Sequence, residues 1–216
     1  MIVLTREMLP TQATFHQMRA AENSLDHFEG LHPLERALVS GAVDHRKAEF
    51  GDARWCAHRA IESLTGRPSM TPILRGQRGM PMWPRGLVGS LTHTNGFRAA
   101  VVAPKNQMRA IGVDAELAEP LPEGVLGSIS LPSERLNLHR AGVDCADRLL
   151  FCAKEATYKA WFPLTNRWLG FEDAEIDLRP DGTFTSYILA RPTPVHHIEG
   201  TWTIDDGYII TVATVF

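Results

Sequence analysis

The sequence predicts an α+β fold made of two lobes, and three observations carry that expectation. Strands and helices do not alternate strictly enough for a doubly wound parallel sheet. The strand-like segments are short and closely joined, which favours antiparallel pairing. The two halves also run in a similar order, each setting helix against strands, although no repeat between them is obvious by eye. The lobes are placed at residues 1–106 and 107–216, meeting near residues 104–110 and forming one functional unit. A chain of 216 residues, 44% hydrophobic and 22% charged, has enough apolar material for such a core and is not of disordered type.

In the first half a strand is expected at Met1–Leu4. The stretch GLHPLERALVSGAVDHRKAEFGDARWCAHRAIESLTG carries Leu34, Leu38, Phe50, Trp55, Ala57 and Ile61 at helical spacings. It reads as one or two helices, with a break near Gly51 and a stop at Gly66. RPSMTPILRGQRGMPMWPRG is too dense in Gly and Pro for one regular element. LVGSLTHTNGFRAAVVA then reads as two strands turned at Asn95-Gly96.

In the second half AIGVDAE is a strand, and EPLPEGVLGSISLP is a connection. SERLNLHRAG is a short helix with Ser133 as its cap. DCADRLLFCAKEATYKAWFPL is a long helix with Asp144 near its start, stopped by Pro163. FEDAEIDL, GTFTSYIL, EGTWTIDDG and YIITVATVF complete the set as strands, with Asp205-Asp206-Gly207 as a hairpin turn. The alternation of Val212, Thr214 and Phe216 with Thr211, Ala213 and Val215 predicts a half-buried last strand.

Charge and cysteine usage narrow the function classes. A net charge of −3 gives no global basic field for nucleic acid. Cys56, Cys145 and Cys152 lack CxxC spacing and cannot all pair, so a reduced, cytoplasmic protein with buried thiols is expected. Arg6 and Glu7 interrupt the apolar start, which is too short for a signal peptide. No stretch approaches the roughly 20 apolar residues of a membrane helix.

Chemistry concentrates in three places. GVDAE sets Asp114 and Glu116 two residues apart on a strand, hence on one face. Such a pair is either solvated at a strand end or joined by Glu155 from the long helix around a hard cation such as Mg²⁺, which takes oxygen ligands. Along that helix, residues 151, 155, 158, 159 and 162 share a face. Glu155 therefore lies among Phe151, Tyr158 and Phe162, either as half of a surface pair with Lys159 or drawn inward with the aromatic rings. VGSLTHTNGF offers Ser90, Thr92 and His93, whose hydroxyls and imidazole suit either phosphate or local structural hydrogen bonds. No G-x-S-x-G elbow surrounds the serine.

Basic residues gather in HRKAEFGDARWCAHRA, where Arg46 and Arg54 lie about two turns apart on broadly one side of a helix. They form a solvated basic face or a grip for a phosphate monoester. LRGQRGMPMWP adds Arg75 and Arg78 between glycines that allow close backbone approach. Neither a Walker A loop nor a G-x-G-x-x-G is present.

In order, RGQRGMPMWPRGLVGSLTHTNGFRAAVVA, IGVDAE and FCAKEATYKAWFPL followed by RWLGFEDA resemble the motif series of Sfp-type 4′-phosphopantetheinyl transferases. The branch they are most similar to is the EntD-like one, including its actinobacterial members. The resemblance spans residues 30–178, and G-[IV]-D-x-E together with K-E-A-x-Y-K is far more specific than either alone. It implies a monomeric pseudo-dimer of two α+β lobes, each a small antiparallel-type sheet on a long helix, with coenzyme A and Mg²⁺ (or Mn²⁺) in the cleft between them. It implies transfer of the phosphopantetheine arm of coenzyme A to a serine of an apo acyl or peptidyl carrier protein, releasing adenosine 3′,5′-bisphosphate. The carriers would belong to fatty-acid, polyketide or nonribosomal peptide synthases, and neither nucleic acid nor membrane would be a partner.

Residue by residue, Asp114, Glu116 and Glu155 match the metal-binding acids, and Lys159 the lysine near the transferred phosphate. Lys154 matches the lysine preceding the third acid and is by that resemblance a coenzyme A-binding residue with Lys159, and Ser90, Thr92 and His93 fall in the S-x-T-H motif that contacts coenzyme A phosphates. Arg46 and Arg54 match positions that hold the 3′-phosphate, and Arg75 a further basic position facing coenzyme A. Glu155 is also the candidate base for the carrier serine. Arg135, His139 and Arg140 lie in the region that docks acidic carriers in relatives. Two other classes fit the same acids: a Mg²⁺-dependent phosphohydrolase or nuclease using water, and a non-catalytic coenzyme A or nucleotide-binding module.

Overall fold

The computed structural model describes residues 3–20 and 24–216. The chain divides into two compact units, one of Pro10–Arg109, the other of the chain as far as Leu9 together with Ala110–Phe216.

The unit spanning Pro10–Arg109 contains β1 (Thr14–Arg19), the short helices α1 (Asp26–Glu29) and α2 (Pro33–Ala37), and the long α3 (Asp44–Thr65). It continues with the two-residue strands β2 (Leu74–Arg75) and β3 (Pro81–Met82), then β4 (Leu87–Thr94) and β5 (Phe97–Pro104). The main sheet is antiparallel in the order β1-β5-β4, with β4 and β5 hinged at Asn95-Gly96 as the sequence indicates. Beneath it α3 buries Cys56, Ala57, Ala60 and Ile61 against Ala100 and Val102. The expected break at Gly51 does not occur, because α3 runs through it without interruption. A Cβ at Gly51 would stand 2.6 Å from the backbone nitrogen of Phe28, so the glycine serves close packing of α1 on α3. Gly66, in the left-handed region at φ 69°, ends the helix.

The other unit contains β6 (Ala110–Leu117), α4 (Val125–Ile129), α5 (Pro132–Asn137), α6 (Ala146–Thr165), β7 (Ala174–Leu178), β8 (Thr183–Ile188), β9 (His197–Asp205) and β10 (Tyr208–Val215). Its five-stranded antiparallel sheet has the order β6-β10-β9-β8-β7, and α6 lies across β6 and β10. The last strand is central, between β6 and β9, so Ile209 to Ala213 are buried on both faces; the expected half-buried strand is corrected accordingly. Val3 and Leu4 are buried in a bend, not a strand, while the rest of the strand expected at Met1–Leu4 lies outside the described residues. Ser133 is not the cap of α5. Leu131 holds that position, its backbone N–H donating to Glu134 Oε2 at 2.7 Å. Nor does Pro163 stop α6, which continues to Thr165 and ends where Asn166 turns left-handed at φ 52°. Proline's fixed φ is compatible with a helix, and so near the end only one backbone bond is forfeited.

The three cysteines are free and buried, as their composition suggests. Among the described residues no helix is long and apolar enough to cross a membrane.

Candidate active site

Close packing of α6 on β6 comes first, because it decides which side chains meet. Residues 112, 114 and 116 share one face of β6 by strand alternation. Gly112 lies directly under the helix, where an added Cβ would be 2.0 Å from the Ala156 carbonyl oxygen and 2.8 Å from the Ala160 nitrogen. Ala153, Ala156 and Ala160 complete the small-residue contact from the helix side and are fully buried. Thr211, paired with Asp114 in the ladder, donates its hydroxyl to the Cys152 carbonyl at 2.9 Å and fixes the helix against β10.

At this short separation Lys159 reaches down to the strand. Its Nζ donates to Asp114 Oδ1 at 2.6 Å and to the Val113 carbonyl at 2.9 Å. Glu116 Oε2 accepts from Arg148 Nη1 at 3.1 Å, and Arg148 also donates to the carbonyls of Glu119 and Pro120. The three carboxylates feel one another. Burial pushes the Glu155 carboxyl above its ordinary range, with Asp114 and Glu116 adding repulsion that Lys159 only partly offsets. Glu116 is raised in the same way, by burial and then by Asp114, against the pull of Arg148 and Lys159.

The aromatic face of the helix lies at the margin of the core. Phe151, Glu155, Tyr158 and Lys159 are half-buried and only Phe162 is buried, while the core face is Leu149, Cys152, Ala153, Ala156 and Ala160. Tyr158 packs on Phe162 and Trp168, with ring centroids 5.6 and 5.1 Å away, so the aromatics flank Glu155 without enclosing it.

These donors suit a hard divalent cation, being all oxygen and carrying more negative charge than their neighbours offset. Among the described residues no group of three His, Cys, Asp or Glu stands at metal-binding spacing, and Asp114 and Glu116 turn to Lys159 and Arg148. The chemistry of the set therefore fits such an ion.

Lys154 has a different position from its neighbour. It is buried, and its ammonium donates to the carbonyls of Phe171 at 2.6 Å and Ala174 at 2.8 Å and pairs with Glu134 Oε2 at 2.9 Å. Three donors meet three acceptors of the protein itself. Replacing Lys154 with Ala leaves Glu134 buried without its cation, and the expected cost is about 3–5 kcal/mol of stability. A denaturant melt checks this; the variant that remains folded keeps its transfer activity.

In the unit spanning Pro10–Arg109 the basic residues converge on Phe50. The guanidinium carbon of Arg54 lies 4.7 Å from that ring's centroid and that of Arg75 5.3 Å. Burial lowers Arg54 to about 10, with Glu35 opposing and Arg75 and Arg46 adding to the fall. Arg75 is lowered by burial and then by Arg46. The three arginines lie within mutual electrostatic reach, one of them buried, a grouping of guanidinium groups that suits an anion. Arg46 Nη1 also donates to His93 Nε2 at 3.1 Å and to Glu49 Oε2 at 3.1 Å. His93 is exposed beside the start of α3, whereas Ser90 and Thr92 are buried and, by alternation along β4, point to the opposite face of the sheet. The structure thus joins His93 to Arg46 and sets Ser90 and Thr92 apart from them.

Sequence reasoning missed Arg148, Glu49 and two buried carboxylates, Glu35 and Glu134. The last two carry a signal that comparing the halves would have found. HPLER and LPSER each place a proline at the first or second position of a short helix, followed by a buried Glu. Glu35 accepts from the Ile73 N–H at 3.0 Å, and Glu134 from the Ile176 N–H at 2.7 Å. Each also holds a basic side chain of its unit's long helix, His58 at 3.0 Å in one and Lys154 in the other. A short internal repeat is present after all.

Each unit thus sets an antiparallel sheet on a long helix, and one of them carries clustered acids and a lysine. Residues 34–103 match the model of the 4′-phosphopantetheinyl transferase N-terminal domain, and residues 110–213 that of the 4′-phosphopantetheinyl transferase superfamily. The chain is 50% identical over 197 residues to 4′-phosphopantetheinyl transferase Npt of Nocardia iowensis, covering 83% of this chain and 87% of that one. It is 46% identical over 196 residues to 4′-phosphopantetheinyl transferase PptT of Mycobacterium tuberculosis, covering 84% and 86%. To 4′-phosphopantetheinyl transferase Svp of Streptomyces mobaraensis it is 45% identical over 197 residues, covering 86% and 78%. The chain belongs to the 4′-phosphopantetheinyl transferase family and is an enzyme of that class.

Proposed function

We propose that this enzyme moves the phosphopantetheine arm of coenzyme A onto a serine of an apo carrier protein. The observation that carries the reading is the gathering of Asp114, Glu116 and Glu155 beside Lys159, whose ammonium donates to Asp114 Oδ1 at 2.6 Å. Asp114, Glu116 and Glu155 would hold Mg²⁺, which when bound neutralises pyrophosphate charge and supports the departing nucleotide. Lys159 stabilises charge developing on the transferred phosphoryl group. Glu155 is also placed to accept the proton of the carrier serine, directly or through a water. The serine oxygen forms its bond to the β-phosphorus, the bond to the bridging pyrophosphate oxygen breaks, and adenosine 3′,5′-bisphosphate leaves with the electron pair. The nucleophile belongs to the carrier, in keeping with three cysteines that are all buried.

Arg46, Arg54 and Arg75 receive the 3′-phosphate of coenzyme A, with His93 beside Arg46. Ser90 and Thr92, on the other face of β4, are assigned to the phosphates only through their motif. Dephospho-coenzyme A tests the arginines. Replacing Arg46 or Arg54 with Ala is expected to weaken coenzyme A binding about tenfold or more, the size of a charge-assisted bond. Binding of dephospho-coenzyme A, followed by calorimetry, should change little. Equal losses for both ligands would remove the arginines from the 3′-phosphate site.

A further inference from the structure

We propose that Glu35 is the positioning residue that sets the enzyme's preference for a 3′-phosphorylated coenzyme A, acting through Arg54 and Arg75. The inference rests on the assignment of those arginines to the 3′-phosphate. Glu35 has no exposed surface, and no residue of the reaction needs a carboxylate there. Its Oε1 accepts the Ile73 N–H at 3.0 Å and lies 4.0 Å from Arg54 Nε, while Arg54 Nε donates to the Ile73 carbonyl at 3.1 Å. One carboxylate therefore holds His58 and the backbone that enters β2, whose second residue is Arg75, and stands 4.0 Å from the guanidinium at the base of the cluster.

The Glu also answers an electrostatic need. Arg54 is buried and pressed by Arg75 and Arg46, and Glu35 is the carboxylate that offsets them. Placed against Arg54, it offsets part of the repulsion within the cluster, while Arg75 is exposed and Arg46 half-exposed. The matching Glu134 supplies an internal control. It holds the Ile176 N–H and Lys154 in the same way, but Arg46, Arg54 and Arg75 belong to the other unit. A purely structural latch would make the two glutamates equivalent, whereas a positioning role makes only Glu35 affect phosphate discrimination.

The experiment measures dissociation constants for coenzyme A and dephospho-coenzyme A with wild type, Arg54→Ala, Glu35→Gln, Glu35→Asp and Glu134→Gln, each melted first to establish folding. Glu35→Gln keeps the shape and the acceptor for Ile73 but removes the charge. Glu35→Asp keeps the charge but draws it back, and so serves if the amide variant fails to fold. The expected result is that either Glu35 variant weakens coenzyme A binding about tenfold, dephospho-coenzyme A less than about twofold, and so loses most of the preference. Glu134→Gln lowers the melting temperature but keeps the wild-type ratio. A wild-type ratio in folded Glu35 variants overturns the inference, as does an equal loss of ratio in Glu134→Gln. If instead wild type binds both ligands equally, or Arg54→Ala keeps the wild-type ratio, the assignment of the arginines fails first and is seen to fail separately.

Discussion

Replacing Asp114 or Glu155 with Ala is expected to lower transfer about a thousandfold or more while the protein stays folded. Asp114 accepts the 2.6 Å bond from Lys159, so its loss removes an acid of the proposed metal set and unseats the lysine. Glu155 has a second, opposite effect on stability. Its folded-state carboxyl is raised by burial, Asp114 and Glu116, so the folded protein binds that proton more tightly than the unfolded chain does. The ionised group therefore subtracts from stability at neutral pH, and the penalty shrinks as pH falls through the raised value towards the ordinary carboxylate range. Glu155→Gln should then melt above wild type at neutral pH without metal, by about 2–4 °C per kcal/mol relieved, with the gap closing at lower pH. Adding Mg²⁺ should raise the melting temperature of wild type and raise that of the variant much less. A Glu155→Gln protein that transfers at the wild-type rate, or that melts lower without metal, contradicts the account.

The second large effect is expected at a residue with no side chain. Gly112→Ala places a methyl group 2.0 Å from the Ala156 carbonyl oxygen, a backbone atom that cannot rotate away. The helix must lift from the strand or the strand must bend, at about 1–3 kcal/mol or more. Because Lys159 bonds to Asp114 and Val113 across this helix–strand contact, even a folded Gly112→Ala protein should lose most of its transfer activity. Denaturant melts and kcat measured on the same preparation check both parts. Unchanged stability would show that α6 does not press on β6 as described.

What the sequence made legible follows from how local each cue is. Asn95-Gly96 specifies a tight turn by its own backbone preferences, so the β4–β5 hairpin could be read directly. The two-residue spacing of Asp114 and Glu116 likewise fixes a shared face wherever the strand lies. Cues that depend on packing misled. Gly51 reads as a helix break until Phe28 is found against it. The aromatic face of α6 reads as core because its small alanine face carries a weak signal, yet Gly112 selects that alanine face. Lys154 and Glu155 are adjacent in sequence but turn to different surroundings, one into a buried pair with Glu134 and the other to the half-buried margin. Glu35 and Glu134 carry no sequence cue of their own, because a single Glu in a helix is ordinarily solvated. Only the paired contacts with Ile73 and Ile176 reveal what the repeated P-x-E-R is for.

The central claim is tested most directly by weighing a carrier. The purified enzyme is incubated with coenzyme A, Mg²⁺ and an apo carrier protein, and the intact carrier is measured by mass spectrometry. The account predicts a gain of one phosphopantetheine per carrier, absent without Mg²⁺ and absent with Asp114→Ala. Carriers of several types left at their apo mass, while coenzyme A is hydrolysed to the same nucleotide, would contradict it and make water the nucleophile.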